Sequence, residues 1–317
     1  MNEQKPPALS LERQGDVLTV RLNRPEVRNA MSQTMLRELL DTLAEAKALG
    51  ARALVLRGSG GHFSAGADLH DMARARQTPI AHETDAIAGF NAAFGHVCAA
   101  YSQSPLAIVA VLEGAVMGGG LGLACCADVA IALRTADFRL PETSLGLVPA
   151  QIAPFLVERL GYSEAKRIAI TGARFGAEEA FRIGLVHTVC ANVTELEAAL
   201  AAILEQILAC APGAVAETKK LLRRARFEEA ASLVEHAAAV FAKAVRAKKV
   251  RRVCALLLRN GSPHGLANLK LPVNPAGKNV NRPAIGIVGG IADELIIEAE
   301  FRGGGQRVAI IGLDQLL

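Results

Sequence analysis

Residues 113–149 read EGAVMGGGLGLACCADVAIALRTADFRLPETSLGLVP, and this stretch decides how the rest of the chain is understood. Three glycines, Gly118 to Gly120, open a short apolar segment. β-rich apolar runs flank it at 106–112 and 129–133. A strand, a glycine turn, a helix and a second strand in so few residues specify a buried α/β core. Twenty-two residues beyond Gly120 a single carboxylate, Glu142, sits in a Pro-Glu-Thr loop. The run 106–133 has the length of a membrane span, but Glu113, Asp128 and the glycines interrupt it, so the α/β core is the better reading.

Outward from this block the pattern repeats. Residues 9–13 and 17–22 alternate apolar and polar side chains about Gly15-Asp16, the signature of a hairpin. Ser32 is a candidate N-cap for a helix to about Leu49. Met35, Leu36, Leu39, Leu40 and Leu43 lie on its apolar face, and Gly50 stops it. Residues 53–56 form a short buried strand, followed by the loop RGSGGHFSAGADL turning into a helix, and 80–101 reads as a long helix. Strand, glycine turn and helix thus occur at 53–72 and again at 106–126, a weak internal ββα repeat. From 152 to 245 the chain reads as successive helices, broken at 172–176 and by a short strand near 185–189.

The chain has 317 residues, 51% of them hydrophobic, enough for one large domain or a domain with an appendage. Its net charge of +4, the absence of Trp and only two Tyr argue against nucleic acid as a partner. The basic run Lys219, Lys220, Arg223, Arg224 reads as a solvated helix face, with neutralisation of ligand phosphates as the alternative. The six cysteines form no Cys-x-x-Cys pair and no His follows at ligand spacing, which speaks against structural zinc and a disulfide framework. MNEQKPPALS lacks the basic-then-apolar pattern of a secretion signal, so a reducing cytoplasm is the expected compartment and no membrane partner is expected.

Two turns, Gly66-Ala67-Asp68 and Gly118-Gly119-Gly120, each place unpaired backbone N–H groups at a helix start, where developing negative charge is well held. If they converge they make a two-donor oxyanion hole. If not, the glycines are packing turns. Glu142, brought against an apolar wall, would have a raised pKa and exchange protons near neutrality; otherwise it is a solvated loop residue. His62, Ser64 and Asp68 suggest a nucleophile triad, but no G-x-S-x-G elbow is present. Neither glycine cluster, 118–122 or 286–290, has dinucleotide-fingerprint spacing. His187 and His236 read as structural histidines.

Taken in order, RLNRPEVRNAM (21–31), FSAGADL (63–69), the block at 113–149 and TGARFGAEEAFRIGLVH (171–187) resemble the crotonase superfamily of acyl-CoA enzymes, over about residues 9–246. The resemblance implies a spiral of ββα units in residues 1–190, a helical trimerisation region in 191–246, and a homotrimer or dimer of trimers. It implies an acyl-CoA substrate, of which coenzyme A is a part, and no metal or redox cofactor. The oxyanion donors fall on Ala67 and Gly119. Substrate contacts fall on or near Val27, Arg28, Ala65, Asp68, Leu69, Gly118 and Gly122. Hydratases of the family carry two glutamates about the catalytic water. One falls on Glu142, but the other falls on Gly122. A single glutamate also suits a Δ3,Δ2-enoyl-CoA isomerase. LPETSLGLVPAQIAPF in turn resembles hydratases of branched glutaconyl-CoA thioesters, notably of isohexenylglutaconyl-CoA in acyclic terpene breakdown. On that reading the missing side chain at 122 opens room beside a branched C3. Some crotonase relatives lack their carboxylates and bind RNA or acyl-CoA without turnover, a reading that Glu142 opposes.

Residues 247–317 depart from the family, which ends with a helix and a basic stretch reaching a neighbouring subunit's CoA. Back-translation of 247–265 admits a second frame, EEGTEGVRSFVAKRKPAW, that looks like that ending, so a frameshift stands beside a genuine extension. Strands are expected at 284–290 and 307–313.

Overall fold

The hairpin forms as expected. Leu9–Gln14 (β1) and Val17–Leu22 (β2) pair antiparallel, with Gln14 opposite Val17 across the turn at Gly15. The structure, a computed structural model, describes residues 7–79 and 85–246 and the backbone of three strands between 285 and 312. It divides into two compact units, Met1–Phe227 and Glu228–Leu317.

In the first unit, Gln33–Ala48 (α1) begins at Ser32, whose Oγ accepts the Met35 amide at 3.2 Å. Then follow Ala53–Gly58 (β3), Leu69–Gln77 (α2), Ala86–Ser102 (α3), Ala107–Leu112 (β4), Ala115–Met117 (β5), Gly119–Cys125 (α4), Val129–Leu133 (β6) and Asp137–Arg139 (β7). The unit is completed by Ala153–Thr171 (α5), Arg174–Gly176 (β8), Ala177–Arg182 (α6), Thr188–Cys190 (β9), Val193–Ala209 (α7) and Pro212–Ala225 (α8). The expected helix at 80–101 is α3. It starts at its Asp85 cap, whose carboxylate accepts the Ile87 and Ala88 amides, and residues 80–84 lie outside the described residues.

Six strands form the main sheet in the order β1-β2-β3-β4-β6-β9, parallel from β2 onward. Alternate side chains enter two separate cores. Leu54, Leu56, Ile108 and Ala110 join α1, α3, α4 and α5 on one face, while Val55, Val109 and Ile131 meet Leu196 and Leu200 of α7 on the other. Strands covered on both faces need to be apolar throughout, which is why 106–112 reads as an unbroken hydrophobic run. Cutting a fully buried Leu39 or Ile108 to Ala should cost about 2–5 kcal/mol.

A second sheet, β5-β7-β8, is the element the sequence reading lacks. Its strands are three residues each, too short for an alternation pattern. Parallel pairing of β5 with β7 sets Met117 against Arg139, so the turns that follow the two strands lie side by side. The repeat is visible in three dimensions. After β3 and again after β4 the chain leaves the main sheet, touches at the Ser64–Val116 bridge, and enters a helix.

Cys98, Cys125, Cys126 and Cys190 are buried free thiols, and burial pushes Cys125 up to about 12, in keeping with core residues. No single helix among the described residues is long and apolar enough to cross a membrane. In the second unit, Ala230–Val245 (α9) is followed by the antiparallel strands Ile285–Gly289 (β10), Glu294–Phe301 (β11) and Gly305–Gly312 (β12). β10 and β12 match the expected strands, whereas β11 was not expected. Residues 247–265, which admit the second reading frame, lie outside the described residues.

Candidate active site

The two glycine turns converge. A Cβ placed on Gly66 would lie 2.9 Å from the Met117 carbonyl oxygen and 3.3 Å from the Gly119 amide nitrogen. Gly66 has φ +94° and Gly118 φ +50°, backbone that other residues adopt only with strain. Around them the chain is fastened on both sides. The Met31 amide donates to Gly66 O at 2.7 Å and the Asp68 amide to Met31 O at 3.1 Å, while the Gly118 amide donates to Arg139 O at 2.9 Å. Between these bonds the Ala67 and Gly119 amides donate to no atom among the described residues. Two fixed, unpaired N–H groups on adjacent turns are what an oxyanion hole requires.

Glu142 reaches the same place through the second sheet. β7 ends at Arg139, and Glu142 opens a single 3₁₀ turn, Glu142–Leu145, directly after Pro141. The turn is pinned by Arg139 Nε to Gly172 O at 3.0 Å, Thr143 Oγ1 to Ala169 O at 2.8 Å and Ser144 Oγ to Pro141 O at 2.6 Å. Glu142 Oε1 is 2.9 Å from where a Cβ of Gly118 would stand, so glycine there admits the carboxylate. Oε2 is buried and has no hydrogen-bond partner among the described residues. Burial holds the carboxyl above its ordinary pKa, opposed only by a bond to its own backbone.

Glu142, Ala67, Gly119 and Leu69 line one cavity of about 1080 Å³. Phe94, Ile152 and Met31 supply its apolar wall. Arg76, Asn91 and Gln151 add polar groups, and the sequence reading identified none of the six. They sit in the segment before α1, on α2, on α3 and in the loop before α5, and only the fold assembles them. Arg76 is the cation on the wall and meets no carboxylate among the described residues, whereas its neighbour Arg74 is paired with Asp71.

The remaining expected site residues fall elsewhere. Val27 and Arg28 do not line the cavity; Arg28 O accepts the Ala65 amide at 2.8 Å and so holds the loop before Ala67. Asp68 does not line the cavity either, and its bonds serve the fold. It caps α2 through the His70 and Asp71 amides and pairs with Arg24 at 2.6 Å. Burial would raise its pKa, but Arg24 and the two amides together hold it low. The nucleophile triad does not form. Ser64 Oγ donates to Asn29 O at 2.8 Å and His62 Nδ1 accepts the Ala115 amide at 3.0 Å. Gly122 opens no room. A Cβ there would meet Ile152 Cγ1 at 2.9 Å and Phe94 Cζ at 3.3 Å, so these two side chains fill the place where a second carboxylate was expected.

A family model described as enoyl-CoA hydratase/isomerase matches residues 12–259. The chain belongs to the enoyl-CoA hydratase/isomerase family. Its fold is that of the crotonases. Among relatives of this family, the 2,3-dehydroadipyl-CoA hydratase of Escherichia coli is 32% identical over 220 residues, 69% of this chain and 82% of that protein. The solved enoyl-CoA hydratase/isomerase of Marinobacter aquaeolei superposes with a TM-score of 0.77 at 45% identity, covering 81% of this chain and 98% of that one. Pseudomonas aeruginosa AtuE gives 0.76 at 46%, covering 80% and 97%. Enzymes of this family act on acyl-CoA thioesters.

Proposed function

We propose that the protein is a hydratase of a branched, glutaconyl-type enoyl-CoA such as isohexenylglutaconyl-CoA, with Glu142 as its acid/base. The carrying observation is the buried, unpartnered Oε2 of Glu142 beside two free amides in one cavity. The thioester oxygen sits between the Ala67 and Gly119 amides. Ionised Glu142 takes a proton from water as the water oxygen bonds to C3, and the C2=C3 electron pair moves onto the thioester as an enolate held by those amides. Glu142 then returns the proton to C2, so one water is added and the carboxylate is regenerated.

The free carboxylate at the far end of the acyl group is matched by Arg76, and the Escherichia coli relative bears the name of another dicarboxylic acid's mono-CoA thioester. In acyclic terpene or branched-chain acid catabolism the enzyme would work in the cytoplasm as a homotrimer or dimer of trimers. A panel of 2-enoyl, 3-enoyl and 3-methylglutaconyl thioesters tests the assignment. The highest kcat/KM is expected for 3-methylglutaconyl-CoA, and Arg76→Met should lower it about tenfold or more while sparing 3-methylcrotonyl-CoA. Equal losses on both substrates would remove Arg76 from this role.

The apolar contact of Ile152 and Phe94 at Gly122 favours a second reading, a Δ3,Δ2-enoyl-CoA isomerase. One carboxylate suffices to move a proton between carbons. Conversion of the 3-enoyl thioesters without gain of water would identify it.

A further inference from the structure

A second cavity, of about 350 Å³, shares no lining residue with the first. It is walled by the C-terminal end of α4, the first half of α5, the loop before β9 and the exposed face of α8. Four cationic side chains, Arg159, Lys219, Arg223 and Arg226, face it against two carboxylates, Asp128 and Glu158. Both carboxylates are already engaged. Asp128 holds Lys219 at 2.6 Å and the Ile108 amide at 2.7 Å, and Glu158 holds Arg226 at 2.5 Å. Arg223 has no partner among the described residues.

Two other donors here have no acceptor among the described residues. Arg159 spends Nη2 on Ala127 O at 2.8 Å, but its Nε is buried without a partner there. His187 accepts the Ala130 amide on Nδ1 at 3.0 Å, which leaves the proton of the neutral ring on Nε2. That Nε2 stands 3.5 Å from Arg159 Nη1, donor against donor. Burial and the Arg159 charge both disfavour a protonated ring here. Donors and cations without acceptors are costly to hold together, and an oxyanion in the cavity between Arg159, His187 and Arg223 would offset their charge and offer an acceptor.

We propose that this cavity binds a phosphate-type oxyanion, free or carried on a small organic body, at a site separate from the acyl-CoA cavity. The volume exceeds what a bare phosphate fills and stands within the range of small-molecule sites. A carbonyl-only or apolar ligand would leave the guanidinium charges unmatched.

Titration calorimetry on the full chain at fixed ionic strength, with inorganic phosphate and with glycerol 3-phosphate as probes, tests the site. Saturable binding of one equivalent is expected for at least one probe, weakened about tenfold or more by Arg223→Met. Arg223 is exposed, so its loss should leave the fold intact. The tighter probe tells whether the free anion or a monoester is preferred. Arg159→Met should weaken binding further. If that variant misfolds through its lost bond to Ala127, the His187 Nε2 resonance of the wild type gives the same information, since it should shift with phosphate. Binding unchanged in Arg223→Met, or no saturable heat from either probe up to about 10 mM, would overturn the proposal.

Discussion

At the scale of single residues, Glu142 carries opposite consequences for activity and stability. As the proposed base it must be ionised, and burial has raised its pKa, so kcat/KM should fall on the acid side through a value above that of an ordinary glutamate. A profile flat through that range would remove Glu142 as the base. The same shift means that the folded chain binds this proton more readily than the unfolded chain. Ionised Glu142 therefore destabilises the fold above its raised pKa, and the penalty fades as the pH drops through it. Glu142→Gln should abolish turnover and raise the Tm at neutral pH, with the gain vanishing in acid, as thermal unfolding across pH would register. Gly122 makes the complementary case. Gly122→Glu drives a side chain into Ile152 and should lower stability by about 1–3 kcal/mol or more and impair turnover of a branched thioester. Adding Ile152→Ala should recover much of that stability. Equal losses in the single and double variants would mean that Ile152 is not what excludes the carboxylate. The sequence showed that a side chain is missing at 122, but not that a neighbour fills the space, because Ile152 lies thirty residues away and only the fold brings it there.

At the scale of elements, the site depends on two short parallel strands. β5 delivers the Gly118-Gly119 turn and β7 delivers Pro141-Glu142, and their pairing fixes donor and carboxylate at one spacing. Gly66→Ala tests the other half of the hole. The new methyl would press on Met117 O and the Gly119 amide at φ +94°, so kcat should fall about a hundredfold while KM changes little. A KM effect alone would mean that the turn binds substrate without holding the enolate. The glycine turns were legible because glycine at positive φ leaves a mark in the sequence. The strands that aim them were not, since three residues are too few to show a period. The hairpin, α1 and the strands β3, β4 and β6, with their longer patterns, were read to within two residues, whereas the three-residue β9, at Thr188–Cys190, was expected near 185–189.

At the scale of the whole molecule, the first unit exposes Val148, Tyr162 and Ile170 at 70% or more, large apolar side chains that a subunit contact would cover. Sedimentation should return a particle of about 100 kDa for three copies of a 33.3 kDa chain, or twice that for paired trimers. A 33 kDa particle at working concentration would contradict the assembly. The family was legible from four motifs in order, while the cavity wall was not, since its residues come from separate elements and carry no motif. Whether Glu142 drives the addition of water to an enoyl-CoA is decided by incubating the purified protein with 3-methylglutaconyl-CoA in water enriched in heavy oxygen and weighing the product. The expected product has gained one labelled water with the wild type and none with Glu142→Gln. Substrate recovered at unchanged mass with its double bond moved, or labelled product from Glu142→Gln, would contradict that role for Glu142.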